Sequence, residues 1–123
     1  MGLFRVVIEV ANLDRTRIVE VEAIVDSGAV YTKLPRSVAE RLGLTTQNRI
    51  QVRLGDNRVV ERERAAAWVG FQGNRAVSMV TIGGELEPAL LGATSLQELG
   101  LSVDSTNERL VQAEALEMVQ ASA

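Results

Sequence analysis

A small, mainly β domain of barrel or sandwich type is the fold class this sequence predicts, on three observations. Runs of strand length rich in Val and Ile recur along the chain, turn residues separate them at regular intervals, and two segments suit a short helix. The 123 residues carry no internal repeat, low-complexity linker or break in composition, so one domain with one site is expected. Apolar residues at 46% against charged residues at 24% describe a chain that folds rather than a disordered one.

Leu3 to Val10 and Arg17 to Val25 read as a first hairpin, with turn chemistry in Ala11-Asn12-Leu13-Asp14-Arg15. Val19, Val21 and Ala23 alternate with Glu20 and Glu22, whereas Ala23-Ile24-Val25 is apolar on both faces; burial should therefore deepen towards Asp26. Beyond Asp26-Ser27-Gly28, Val30 to Leu34 reads as a short strand. Pro35 then takes the first position of a helix through Leu42, closed by Gly43. Ile50, Val52 and Leu54 alternate with Gln51 and Arg53 up to the turn Gly55-Asp56-Asn57, and Arg58 onward returns as the second arm of a hairpin with an exposed tip. That arm carries Glu61-Arg62-Glu63-Arg64, whose alternation puts Glu on one face and Arg on the other, the pattern of a salt-laced surface strand.

Ala65 to Phe71 and Ala76 to Ile82, joined at Gly73-Asn74, form a third hairpin, with Trp68 and Phe71 assigned to the core. Gly83-Gly84 ends it. Pro88 to Gly92 is a short buried run, Thr94 or Ser95 caps a brief helix through Leu99, and Gly100 stops it. Leu101-Ser102-Val103 and Leu110-Val111-Gln112 flank Ser105-Thr106-Asn107 as the last hairpin. The folded domain is thus expected over residues 1–112, followed by a tail, 113–123, in which Leu116 and Val119 would share one helical face.

The zeros in the composition exclude the most chemistry. Without Cys or His the chain can form no disulfide, no thiolate or imidazole metal site, no Cys nucleophile and no Ser-His relay. Proton transfer near neutral pH is left to Asp, Glu, the single Lys33 and the single Tyr31, so an enzyme here would work with carboxylates. A Ser-Lys or Tyr-Lys pair stays formally open, although Lys33 lies in a β-like run with no obvious partner. No metal or organic cofactor is expected. The net charge of −3 and the absence of a basic run argue against a nucleic-acid partner. No segment reaches the roughly 20 apolar residues of a membrane span. Met1 to Val10 lacks signal-peptide regions, and Val6 stands where a myristoylation motif needs Ser or Thr, so a cytoplasmic protein is expected.

Asp26-Ser27-Gly28 follows the apolar run Ala23-Ile24-Val25 and precedes Ala29, which holds a carboxylate at the end of a buried strand among small residues. Asp, Ser and Gly are also common turn formers, so the tripeptide alone equally describes an ordinary turn. Three elements in order change that reading: Ile24-Val25-Asp26-Ser27-Gly28-Ala29, then Leu90-Leu91-Gly92, then the helix-like Thr94 to Gly100 running into Leu101-Ser102-Val103-Asp104, with the Gly55 hairpin between the first two. The ordered set, covering roughly Leu3 to Val111, resembles the retropepsin-like aspartic proteases, the single-lobe family of retroviral proteases and their bacterial relatives.

The resemblance implies a small closed β-barrel of the retropepsin type with one or two short helices, acting as a homodimer without nucleic-acid or membrane partners. Peptide hydrolysis without a covalent intermediate needs a base for water and an acid for the carbonyl oxygen, and two close carboxylates sharing one proton supply both. With a single Asp-Ser-Gly in the chain, Asp26 of each subunit would meet its partner on a two-fold axis and hydrolyse a polypeptide substrate. Ser27 would brace the paired turns, Gly28 would let backbone approach closely, Ala29 would support the loop, and Gly92 would pack where a Cβ collides. Gly55, Asp56 and Asn57 would close over the peptide as a flap, with Val30 and Tyr31 lining the site. Val30, Tyr31 and Ala93 depart from the retroviral pattern. Val30-Tyr31 replaces acidic residues and Ala93 replaces their Arg partner, so the polar grip on substrate backbone and the substrate choice do not carry over. The resemblance is therefore also compatible with a weakly active or inactive protease-like module that dimerises or binds peptide.

Overall fold

The computed structural model describes residues 3–115, 117 and 119. Strand β1 (Arg5–Ala11) pairs antiparallel with β2 (Ile18–Val25), in register from Arg5↔Ile24 to Ala11↔Ile18. Short polar side chains fix the connecting turn: Asn12 Oδ1 accepts from the Arg17 N–H at 2.9 Å and Asp14 Oδ1 from the Thr16 N–H at 3.1 Å. Burial along β2 deepens towards its end, with Ala23 and Val25 buried and Ile18 exposed.

Beyond a bend at residues 27–31 the chain forms β3 (Thr32–Pro35), α1 (Arg36–Leu42), β4 (Thr46–Arg53), β5 (Val59–Phe71) and β6 (Asn74–Gly83). There follow β7 (Ala89–Leu91), α2 (Ala93–Leu99) and the separate hairpin β8 (Leu101–Asp104) and β9 (Arg109–Gln112). The main sheet runs β1-β2-β7-β3-β6-β5-β4, and an added β1–β5 pairing closes six of its strands into a barrel, leaving β4 outside as the partner of β5. Two of the ring's pairings are parallel, β2 with β7 and β3 with β6. Inward-facing Ile8, Val10, Leu34, Val69, Val80 and Leu91 fill the interior with essentially no exposed surface, and Leu42 of α1 joins them.

Several expectations are corrected here. Residues 30 and 31 lie in the bend, so β3 starts at Thr32. Pro35 ends that strand rather than opening the helix: its ψ of 151° is extended and it pairs with Gly83, so helical backbone begins at Arg36. The returning arm of the second hairpin and the first arm of the third are one 13-residue strand, β5. Trp68 is half-buried and outside the core, because Ala65, Ala67 and Val69 take the inward positions and alternation turns Trp68 outward. Its Nε1–H donates to the Leu13 carbonyl at 2.9 Å, with the Arg15 guanidinium 5.9 Å from the ring. Phe71 packs on the core but is half-buried at the strand end.

Neither Thr94 nor Ser95 caps α2. Gly92 holds the N-cap position and offers no side chain. The tail's residues 113–115, 117 and 119 carry neither helix nor strand, and Leu116 lies outside the described residues. Among the described residues no helix is long and apolar enough to cross a membrane.

Candidate active site

Asp26 is half-buried where β2 leaves the barrel. Its N–H donates to the Leu91 carbonyl at 3.0 Å, its carbonyl accepts from the Ala29 N–H at 3.1 Å, and its Oδ1 accepts from the Gly28 N–H at 3.0 Å. These bonds fix the carboxylate over its own turn while holding its backbone against β7. A Cβ at Gly28 would stand 3.3 Å from Oδ1, so glycine leaves that approach open. Ser27 and Gly28 are exposed, Ala29 is half-buried and Val30 is 62% exposed.

The turn is wedged from behind by the start of α2. The Ala93 and Thr94 N–H groups donate to the carbonyls of Ala29 and Val30, both at 2.8 Å. The first free N–H groups of the helix are thereby satisfied by the Asp26 loop instead of a capping side chain. At Gly92 an added Cβ would overlap the Tyr31 carbonyl and lie 2.9 Å from Thr32 N, which are backbone atoms with nowhere to go. Below this contact runs a buried chain of hydroxyls. Gly92 N–H donates to Thr32 Oγ1 at 3.1 Å, Thr32 Oγ1–H donates to Ser95 Oγ at 2.6 Å, and Ser95 Oγ meets Ser78 Oγ at 2.8 Å. All three hydroxyls are buried and partnered, which locks β3, β6 and α2 together under the site.

The β4–β5 hairpin ends in a turn closed by Leu54 N–H to Arg58 carbonyl at 2.8 Å and Asn57 N–H to Leu54 carbonyl at 2.9 Å. Asn57 adopts φ of 76°, a left-handed conformation that Asn tolerates. Asp56 is ion-paired with Arg58 at 2.7 Å and its carboxyl is held below the usual range, chiefly by the Arg58 backbone and side-chain donors. Thus Asp26, Gly28, Ala29, Val30, Tyr31 and Gly92 come together around one turn. Gly55, Asp56 and Asn57 sit apart from it at an exposed tip, with no hydrogen bond to that turn among the described residues.

Residues that the sequence did not single out for the site lie beyond the turn, around Tyr31 and Lys33. Lys33 Nζ and Arg62 NH2 both donate to Glu87 Oε1, at 2.9 and 2.6 Å, and Arg64 NH1 donates to the Tyr31 hydroxyl at 2.7 Å. Burial pushes the Glu87 carboxyl up, but the Lys33 and Arg62 donors outweigh it and hold it down at about 2. Lys33 therefore has a partner, and among the described residues it forms no Ser-Lys or Tyr-Lys pair. The available signal was parity: Arg62 and Arg64 alternate with inward-tending positions, and Lys33 sits between buried Thr32 and Leu34. Among the described residues no group of three or more Asp or Glu side chains could hold a metal ion.

A family model for aspartyl proteases matches residues 9–95, which spans the Asp26 turn, the hairpin and Gly92. The chain belongs to the aspartyl protease family. Among solved structures it is similar to EIAV protease complexed with the inhibitor HBY-793, at 18% identity over 80% of this chain and 89% of that one, with a TM-score of 0.58. It is also similar to the retroviral protease-like domain of Ddi1 from Leishmania major, at 21% identity over 90% of each chain and a TM-score of 0.55. A retropepsin-like aspartic protease from Rickettsia conorii aligns at 20% identity over 85% of this chain and 90% of that one, with a TM-score of 0.50. At these identities the likeness is one of fold, and the six-stranded closed barrel with its two helices is a retropepsin-type fold. No curated protein sequence matches the chain.

Proposed function

We propose that this aspartyl protease family member is an aspartic endopeptidase that works as a homodimer, with Asp26 from each subunit forming one catalytic pair. The observation that carries the reading is the Asp26 turn itself. A half-buried carboxylate is fixed over its own turn by the Gly28 N–H, and its loop is braced by Gly92 and the start of α2. Within the described residues of one subunit Asp26 has no hydrogen bond to a second carboxylate, so the acid-base pair calls for a second copy. Exposed Val30 beside the turn, and exposed Leu3 next to the end of β2, offer apolar surface for such a copy to cover.

One carboxylate takes a proton from water as its oxygen attacks the peptide carbonyl carbon, while the other donates its proton to the carbonyl oxygen. Collapse of the tetrahedral diol breaks the C–N bond. The nitrogen leaves with a proton from the pair while a diol hydroxyl returns one to it, so the pair ends with one shared proton as it began. The Gly55–Asn57 tip closes over the extended peptide and excludes water.

The test is cleavage of a diverse peptide library, read by mass spectrometry from acid to neutral pH, with wild type and Asp26→Asn in parallel. New termini are expected with wild type alone. Asp26→Asn should stay folded and dimeric by analytical ultracentrifugation. Equal cleavage by both proteins would overturn the proposal. Peptides retained at full length by a folded dimer would make the chain a binding module instead.

A further inference from the structure

Strand register places a row of residues from four neighbouring strands on the outer face of the barrel. Ile24 pairs with Leu90, Leu90 with Lys33, Lys33 with Thr81, and Thr81 with Arg64. Residues paired in register share a face, and Asp26 follows Ile24 by two positions, so the row runs alongside the Asp26 carboxylate. Its far end lies on β5, the strand that returns from the Gly55–Asn57 tip. Arg62 is two residues closer to that tip and on the same face.

Three cations, Lys33, Arg62 and Arg64, therefore share the outer face between the Asp26 end of β2 and the arm of the Gly55–Asn57 hairpin, with one carboxylate, Glu87, among them. The Lys33 and Arg62 side chains are only 16% and 11% exposed. Arg64 makes no ion pair among the described residues; it donates to the Tyr31 hydroxyl and to Asn48 and lies 5.4 Å from the Tyr31 ring. Glu85, the other acid of the β6–β7 connection, accepts from the Ser37 N–H at 2.8 Å. In a chain of net charge −3 this wall carries a local excess of two positive charges in partly desolvated surroundings. Gly83 makes room for it, since a Cβ there would lie 2.8 Å from Lys33 Cδ and 3.1 Å from Glu87 Oε1.

We infer that Lys33, Arg62 and Arg64 select peptides carrying an Asp or Glu side chain close to the bond held over Asp26, an inference that rests on the protease reading of the site. A substrate carboxylate would take donors that Glu87 leaves unused, through charge-assisted hydrogen bonds that a Gln or Lys side chain cannot match.

The probes are fluorescein-labelled octapeptide pools matched except for Glu, Gln or Lys at one position at a time. Cleavage is measured with wild type, and binding by fluorescence anisotropy with full-length Asp26→Asn. Glu pools are expected to be cut and bound about tenfold better than Gln pools at one or two positions, less so at high salt. Arg62→Met and Arg64→Met should shrink that ratio, whereas Glu87→Gln, which frees two cations, should raise it. Arg62→Met and Glu87→Gln break the same ion cluster, so opposite movements separate charge selection from loosening of the fold. Wild-type cleavage indifferent to Glu against Gln overturns the inference and leaves the protease reading standing. If wild type cuts nothing, that reading falls and binding decides: a Glu preference on Asp26→Asn supports the inference, and equal or absent binding overturns it.

Discussion

Gly92 and Thr32 hold the Asp26 turn by different physics, and each predicts its own damage. At Gly92 the obstacle to any side chain is the Tyr31 carbonyl, part of a backbone pinned on its other side by the Thr94 N–H to Val30 carbonyl bond. Gly92→Ala is therefore expected to destabilise by about 1–3 kcal/mol, the usual range for overpacking, and to abolish cleavage by displacing the loop that carries Asp26. Urea unfolding read with the peptide assay checks both, and a fully active Gly92→Ala would contradict the packing account. Thr32→Val keeps the shape but leaves the Gly92 N–H and the Ser95 hydroxyl short of a partner, again at about 1–3 kcal/mol. The Asp26-Ser27-Gly28 turn and Leu90-Leu91-Gly92 were legible because each is a local pattern of small residues next to an apolar run. The hydroxyl chain was not, since Thr32, Ser78 and Ser95 meet only after three distant elements have packed.

At the scale of elements, the hairpins were legible from alternation and turn residues, and they stand at β1–β2, β4–β5, β5–β6 and β8–β9. The parallel pairings β2–β7 and β3–β6 join residues 66 and 48 positions apart, as in Ala23↔Ala89 and Thr32↔Val80, and leave no local mark. The strand pattern by itself therefore left barrel and sandwich both open, and it was the resemblance carried by the Asp26 and Gly92 motifs that implied the closed barrel. Trp68 shows how hydrophobicity misled where parity was correct: the small Ala65 and Ala67 beside it point inward and the large ring does not. The β6–β7 connection illustrates the same limit, because Glu87 finds Lys33 and Arg62 only across strands. That connection also carries a pH prediction. The Glu87 carboxyl is depressed from 4.5 to about 2, so its contribution to stability is complete above about pH 4.5 and is lost as pH falls towards 2. Glu87→Gln should flatten the acid limb of a stability-against-pH curve within that window. An unchanged limb would show that the ion cluster contributes nothing to the folded state.

For the whole molecule, the decisive feature is how unevenly the barrel is stitched. The β5–β6 ladder extends from Glu63↔Ile82 to Phe71↔Asn74, whereas β1 meets β5 through only Glu9↔Gly70, Val10↔Val69 and Ala11↔Trp68, and β3 meets β7 at the single pair Lys33↔Leu90. These two thin seams divide the ring into two leaves, β1-β2-β7 and β3-β6-β5 with β4 attached. Asp26 leaves the first leaf; the Gly55–Asn57 tip and the cations Lys33, Arg62 and Arg64 belong to the second. Amide hydrogen exchange should accordingly be slowest inside each leaf and faster for amides that bridge the seams, with Ser95→Ala widening the gap beside Lys33. Uniform protection around the ring would contradict the division. The helix α2 then acts as a clasp across the thinner seam. Its Ser95 grips Thr32 and Ser78 of one leaf, while its start follows directly on β7 of the other through Gly92. Under the protease reading, a small opening at the clasp would shift the cationic wall relative to the Asp26 carboxylate without unfolding either leaf, and one buried serine, bonded to Thr32 on the face of β3 opposite Lys33, would set the spacing of the two.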